Sequence, residues 1–300
     1  MRIARIVVLA LLVASPLLAQ RQRGRGLPEG VVGEYDVEYG KGGDSKLLLD
    51  CYHANEEMKG KKLPCVIFIH GGGWHAGDKS KAPVIALVPR GYVGISINYR
   101  LSAEAKFPAA VEDCKCAVRW VRANAEKYGI DPDRLGVWGT SAGGHLALMV
   151  GLADEKAGLE GKGGNEGVSS RVQAVCSWFG PADFTKGANE FEGGTGRSPI
   201  AFLGGTLKEA PDAYKNASPV TWASADDPPV LMIHGDKDST VPLTQSQWML
   251  EALEKAGAKG ELVVVKNAGH GFKPAAGEID PSKEKIDSQT YDFFDEHLKK

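Results

Sequence analysis

An α/β fold, with a mostly parallel sheet covered by helices on both faces, is what this 300-residue sequence predicts. Three observations carry that reading. Short apolar runs bounded by turn residues alternate with helical patterns, as consecutive βαβ units do. One such run, Leu135-Gly136-Val137-Trp138, stops at Gly139-Thr140-Ser141-Ala142-Gly143 and passes at once into the helix-like stretch Ala142–Leu152. Once an N-terminal segment is set aside, about 280 residues remain, enough for one large domain with a substantial core.

The N-terminal segment has its own signature. Met1-Arg2-Ile3-Ala4-Arg5 is a positive start, and Ile6–Ala19 is apolar except at Ser15 and Pro16. With the small Ala19 ahead of Gln20-Arg21, this order predicts a secretory signal peptide over residues 1–19. The run is short for a membrane span, which takes roughly 20 apolar residues. The expected location is therefore secreted or periplasmic, with no stable membrane insertion after cleavage. Residues 20–33 read as a flexible leader, whose basic cluster Arg21-Gln22-Arg23-Gly24-Arg25 is solvated. One domain is expected over 34–300.

Within it, strands are expected at Lys46–Cys51, Pro64–Ile69, Tyr92–Asn98, Arg134–Trp138, Val172–Trp178, Val230–His234 and Glu261–Val265. A helix is expected over Pro108–Lys127. Its apolar Val111, Cys114, Ala117, Val118, Val121 and Ala125 recur at three- and four-residue steps, with Pro108 at entry and Gly129 just past the end. A last helix, Lys283–Lys299, docks through Ile286, Tyr291, Phe294 and Leu298. Two segments break the rhythm. Lys156–Ser170 is rich in Gly, Glu and Lys and reads as an exposed loop. Phe179–Asp227 is a long insertion between two strands, of a size more often functional than idle, and reads as a small cap over residues 179–227.

Composition excludes several classes. With 36 basic against 38 acidic residues there is no field for a nucleic-acid partner. Five cysteines are an odd number, so at least one is unpaired within the chain. Cys114 and Cys116 point to different faces of the expected helix and do not suit a mutual bridge; the cysteines read as small core residues. There is no H-E-x-x-H, no C-x-x-C and no glycine loop ending in G-K-S/T, so neither a metal nor a nucleotide cofactor is expected. Oligomeric state has no signature here.

Two motifs carry chemistry. His70-Gly71-Gly72-Gly73-Trp74 follows the apolar run Val66–Ile69, and Gly139–Gly143 has the G-x-S-x-G spacing at a strand-to-helix turn. Each is weak alone; the strand–turn–helix context is what a nucleophile elbow requires. A serine hydroxyl becomes a nucleophile only when a base takes its proton, so it must stand exposed beside an imidazole. The oxyanion formed on attack needs preset N–H donors, each worth roughly 3–4 kcal/mol in well-studied cases. The backbones of the 71–73 glycines and of Ala142 are placed to supply them.

Seven histidines compete to be the base. His270 is best placed, after the last expected strand in Asn267-Ala268-Gly269-His270-Gly271-Phe272. His145, four residues after Ser141, projects away from the pocket mouth. His70 reads as a scaffold for the glycine run, and His75 as a residue bordering the cleft. His53, His234 and His297 have no partner that the sequence names. The acid belongs on a loop after a strand between serine and base. Asp236 follows Gly235 directly and reads as a turn former, whereas Asp238 has the reach. The chain order Ser141…Asp238…His270 is that of neither chymotrypsin nor subtilisin. Asp78 could hold the glycine loop, and Arg100 and Asp113 could pair beneath it.

From Lys46 to Phe272 the chain resembles bacterial esterases of the α/β-hydrolase fold, in particular secreted esterase/lipase-like proteins that include feruloyl and acetyl-xylan esterases. The residues that carry this are His70–Trp74 with Gly77-Asp78-Lys79, Asn98-Tyr99-Arg100-Leu101, Phe107-Pro108, Gly139–Gly144, Phe179-Gly180-Pro181-Ala182-Asp183, the Asp238 loop and Gly269-His270-Gly271-Phe272. The resemblance implies an eight-stranded sheet with a small cap. It also implies Ser141 as nucleophile, His270 as base, Asp238 as orienting acid, and Gly72, Gly73 and Ala142 as oxyanion donors. It is far more specific to the fold and these residues than to a substrate. Trp74 and Phe272, each beside one of these loops, are the candidates for substrate contact.

The function so indicated is a secreted serine carboxylic-ester hydrolase working through an acyl-enzyme on short-acyl or aromatic-acyl esters, including those of plant polysaccharides. A broad small-molecule carboxylesterase and a serine exopeptidase use the same three residues. A non-catalytic binding protein on this scaffold has no need of them.

Overall fold

The computed structural model describes residues 26–186 and 197–299, so the expected signal peptide lies outside the described residues. Eight strands form one sheet: β1 (Val31–Gly42), β2 (Ser45–Ala54), β3 (Leu63–Ile69), β4 (Val93–Ile97), β5 (Ile130–Thr140), β6 (Ala174–Trp178), β7 (Val230–Gly235) and β8 (Gly260–Val265). Their order is β1-β2-β4-β3-β5-β6-β7-β8. The β1–β2 and β2–β4 pairs are antiparallel; every pair from β4–β3 to β7–β8 is parallel.

The apolar runs form strands because both sheet faces are covered, and alternate side chains feed two cores. From β3, Cys65, Ile67 and Ile69 enter one core; Val66 and Phe68 enter the other. The first core packs under α1 (Ala109–Ala123), α2 (Ala142–Leu152) and the later helix α5 (Thr244–Ala256), through residues such as Val111, Leu146 and Met249. The second packs under residues 83–90 and the C-terminal α6 (Lys283–Leu298), through Leu87, Ile286 and Phe294. All five cysteines are buried, free thiols. No helix among the described residues is long and apolar enough to cross a membrane.

Four features differ from the sequence reading. β1 starts at Val31, three residues inside the stretch read as leader, because Val31 pairs with Ala54 and Gly33 with Tyr52. α1 ends at Ala123, with Asn124 capping it, rather than at Lys127. The 156–170 segment is not a free loop. Its Glu160 accepts hydrogen bonds from the buried Lys115 and Arg119 of α1, and its Gly163 carbonyl accepts from Lys41 N–H. Finally, α5 was not foreseen.

The insertion after β6 contributes α3 (Arg197–Leu203), α4 (Pro211–Asn216) and a short turn at Pro219–Thr221. Phe191, one of its bulky residues, lies outside the described residues. Because β3, β5, β7 and β8 are parallel, the loops leaving their C-terminal ends gather on one edge of the sheet. In open α/β sheets this edge is where ligands bind.

Candidate active site

The nucleophile candidate sits where β5 turns into α2. Ser141 adopts φ 55° and ψ −122°, a conformation that non-glycine residues rarely hold. It is fixed by Ser141 N–H donating to the Trp178 carbonyl and by its own carbonyl accepting from His145 N–H. The turn also needs close backbone approach. A Cβ on Gly143 would stand 2.1 Å from the Ile69 carbonyl oxygen and 2.5 Å from that of His70, so only glycine brings α2 against the end of β3.

His270, in the 270–272 turn beyond β8, lies with Nε2 3.0 Å from Ser141 Oγ and Nδ1 2.7 Å from Asp238 Oδ2. Asp238 follows β7; its side chain is fully buried, and Oδ1 accepts from the N–H groups of Thr240 and Val241 at 2.8 and 2.9 Å. The structure thus brings Ser141, His270 and Asp238 into one hydrogen-bonded series from three separate loops. The edge of Phe179 packs on the His270 ring at 4.8 Å, a contact the sequence reading missed although Phe179 stands right at the end of β6.

The glycine run leaves β3 facing this series. Gly72, Gly73 and Trp74 all have positive φ (119°, 59° and 59°). A Cβ on Gly72 would lie 2.1 Å from the Ala76 carbonyl oxygen, which accepts no such neighbour. Among the described residues, nothing accepts from the N–H groups of Gly72, Gly73 or, at the first turn of α2, Ala142. These donors are free for a ligand. Farther along, the Lys79 ammonium is held 2.7 Å from both Asp36 and the buried Asp50, which ties this segment to β1 and β2.

A cavity of about 750 Å³ opens over these groups. Ser141, His270 and Gly71–Trp74 line it together with Pro181, Ser198 and Pro199 from the insertion after β6 and Thr240 and Val241 from the Asp238 loop. Exposed His75, Asp78 and Lys81 add polar groups, so His75 borders the cleft as expected. Ser198 and Pro199 were missed because nothing in the cap sequence says which of its residues turn inward. Among the described residues no group of three or more His, Cys, Asp or Glu side chains is placed to hold a metal ion.

The other candidates fall elsewhere. Trp74 borders the cavity but is buried, stacked on Phe202 and hydrogen-bonded to His145. Phe272 does not reach the cavity. It is buried against Trp178 and Phe179, because the 270–272 turn directs His270 outward and Phe272 into the second core. Phe184 and Phe202, two bulky apolar residues of the insertion after β6, are also core, packed on Trp74. His70 stacks on Tyr99 and its Nδ1 donates to the Gly71 carbonyl, a scaffold role. His234 gains partners the sequence did not name, Ser246 Oγ and the Val241 carbonyl. Arg100 and Asp113 pair as anticipated, at 2.7 Å. Asp78 caps Ser80 N–H instead of bonding the glycines.

The BD-FAE family model matches residues 49–253, more than half of the chain and including Ser141 and Asp238. The chain belongs to the BD-FAE family. This BD-FAE member is 34% identical over 245 residues to "Esterase LipQ" of Mycobacterium tuberculosis, an alignment covering 80% of this chain and 58% of LipQ. The chain therefore spans just under three fifths of that relative's length. Among solved structures it resembles a "truncated form of carbohydrate esterase from gut microbiota", at TM-score 0.77 and 32% identity, covering 90% of this chain and 97% of the other. It also resembles the thermophilic esterase Est2 of Thermogutta terrifontis, solved with propionate bound, at TM-score 0.70 and 26% identity over 89% of this chain and 92% of the other. Est2 has also been solved with butyrate. The BD-FAE member shares the α/β-hydrolase fold of these esterases.

Proposed function

We propose that this protein is a serine carboxylic-ester hydrolase that works through an acyl-enzyme on short-acyl esters, with the acylated hydroxyls of plant polysaccharides among its substrates. The hydrogen-bonded series Ser141–His270–Asp238 beneath an open cavity carries the reading. In the first half-reaction, Ser141 Oγ attacks the ester carbonyl as His270 Nε2 takes its proton. The tetrahedral oxyanion is met by N–H groups of Gly72, Gly73 and Ala142. Its collapse breaks the acyl–oxygen bond, and His270 returns the proton to the departing alcohol. A water molecule, activated by the same imidazole, then attacks the acyl-Ser141 carbonyl and releases the acid. Asp238 holds His270 with its Nδ1 protonated throughout, so that Nε2 faces the serine.

The names of the relatives support ester chemistry, and the gut-microbial neighbour's designation as a carbohydrate esterase supports a carbohydrate alcohol. The propionate and butyrate of Est2 support a short acyl group. Export, inferred from Met1–Ala19, is part of the same proposal. It is checked by the N-terminal mass of protein recovered from a bacterial culture, expected close to Gln20; an intact N-terminus in the membrane fraction would overturn it. The function itself is tested on purified protein with p-nitrophenyl acetate, methyl ferulate, acetylated xylan and peptide substrates. Turnover of esters is expected, and turnover of peptides alone would reverse the reading.

A further inference from the structure

Behind the serine, one fully buried polar side chain has no part in these steps. His145 stands four residues after Ser141 on α2, boxed by the rings of Trp74, Phe184 and Phe202 at 5.4, 5.1 and 5.7 Å. Its two nitrogens have partners of opposite kinds. The Trp74 indole N–H donates to Nδ1 at 3.1 Å, and Nε2 lies 2.7 Å from the Ala217 carbonyl oxygen. An indole N–H can only donate and a carbonyl can only accept, so Nδ1 is bare and Nε2 carries the hydrogen. The imidazole is thereby fixed as one neutral tautomer, and burial pushes its pKa down to about 4.

The two partners belong to two separate segments beside the site. Trp74 ends the run of three positive φ values that begins at Gly72. Glycine takes such angles freely; a tryptophan holds one only when its surroundings over-determine it. Here they do so through the side chain, by the bond to His145 and the stack on Phe202 at 4.7 Å and 11°. The Trp74 carbonyl is also bound, by Ser102 N–H. Ala217 lies in the cap, at the C-terminus of α4. Phe202 is on α3, whose Ser198 Oγ would stand 3.2 Å from a Cβ on Gly73. One imidazole therefore ties the glycine turn to the cap.

We infer that His145 is a positioning residue, which sets the aim of the Gly72 and Gly73 N–H groups through Trp74 and locks the cap to that turn. It touches neither substrate nor reacting atoms. The inference rests on the hydrolase reading above. Oxyanion donors act only at short range from where the charge forms, and a displacement of about 1 Å can cost about 10²-fold in rate.

Four variants test it. His145→Phe keeps the bulk and removes both hydrogen bonds, and Trp74→Phe removes the indole donor alone. His145→Asn places an amide oxygen near the position of Nδ1, and His145→Gln places an amide nitrogen near that of Nε2. In the folded proteins, His145→Phe and Trp74→Phe are expected to lower kcat on p-nitrophenyl acetate about tenfold or more, with KM within about twofold, as for a transition-state interaction. His145→Asn is expected to restore most of kcat and His145→Gln little of it. Amide hydrogen exchange over residues 71–77 should quicken in the two Phe variants and slow again in His145→Asn. If His145→Phe does not fold, Trp74→Phe and the Asn and Gln pair carry the comparison. Folded variants with wild-type kcat and wild-type exchange over 71–77 would overturn the inference. Wild-type protein that hydrolyses no ester would instead overturn the hydrolase reading, and exchange over 71–77 would then decide the positioning role alone.

Discussion

Asp238 and His270, 32 residues apart in sequence, meet through an Oδ2···Nδ1 hydrogen bond of 2.7 Å, whereas the carboxylate of Asp236, in the same turn as Asp238, is paired with Lys237. The Asp236 carboxylate is 3.5 Å from Lys237, and its N–H donates to the Val265 carbonyl in the turn. Asp238→Asn replaces the acceptor of the His270 Nδ1–H by an amide that can donate there, favouring the wrong tautomer. It is expected to lower kcat by about 10⁴, by analogy with serine proteases. Asp236→Asn should change kcat by no more than a few-fold. Steady-state kinetics of the pair decide; equal or reversed losses would mean that the other carboxylate is the acid.

Acyl-chain preference follows from how the cavity is lined. Phe184 and Phe202, two large apolar residues of the insertion after β6, are packed into the core against Trp74, and among the described residues that insertion lines the cavity with Pro181, Ser198 and Pro199. A long acyl chain gains about 0.8 kcal/mol per buried methylene only where an apolar tunnel receives it. Among p-nitrophenyl esters, kcat/KM is expected to be highest from acetyl to butyryl and to fall steeply by octanoyl. A maximum at decanoyl or beyond would contradict this lining.

Stability should fall on mild acidification. Burial lowers the pKa of His70, His145 and His234 in the folded protein, that of His145 to about 4. In the unfolded chain each titrates near the ordinary value of about 6.5. Between those values the unfolded state binds protons that the folded state does not, so stability is complete above about pH 6.5 and is lost as pH drops toward the folded-state pKa values. Each histidine adds a slope of up to about 1.4 kcal/mol per pH unit. Denaturant unfolding from pH 7 to 4.5 measures it. His145→Gln should flatten the slope, and an unchanged slope would contradict a neutral buried His145.

The Lys79 cluster makes a separate stability prediction. Asp50 is buried, and it faces Lys79 Nζ at 2.7 Å and Asp36 N–H at 2.9 Å. Lys79→Met leaves that carboxylate in place without its cation. Removing one member of a buried pair typically costs about 3–5 kcal/mol, and the exposure of Asp36 puts the expected loss at the lower end, about 3 kcal/mol. Urea unfolding of Lys79→Met reads it; a loss below about 1 kcal/mol would show that the cluster is a surface pair in effect.

The sequence reading succeeded where local pattern and tertiary demand agree. The β5–Ser141–α2 elbow is legible because a buried strand, a strained turn and a small-residue helix start are all written locally. The β3 glycine run is legible for the same reason. α5 was missed because its buried face includes Gln245 and Ser246, which blur the apolar period. Those two residues are spent on tertiary hydrogen bonds, Gln245 to the N–H groups of Ala182 and Asp183, Ser246 to His234. The start of β1 was missed because an edge strand carries polar residues and this one has two register shifts, at Glu34/Val37 and Glu38/Gly40. For Phe272 the sequence identifies the loop but not the hand of its turn. That the same turn sends His270 to the cavity and Phe272 to the core is decided by packing on Trp178 and Phe179.

The proposed acyl-enzyme can be observed directly. In that proposal Ser141 Oγ is the atom acylated and His270 Nε2, 3.0 Å away, is the base that deprotonates it. Protein mixed with excess p-nitrophenyl acetate, quenched in acid within the first turnovers and digested, should show one acetyl group on the peptide that contains Ser141. Ser141→Ala, folded and of wild-type thermal stability, should show none and retain only the residual rate of binding and oxyanion contacts, about 10³–10⁴ over water. Acetyl on any other residue, or a folded Ser141→Ala protein with half of wild-type activity, would contradict the account.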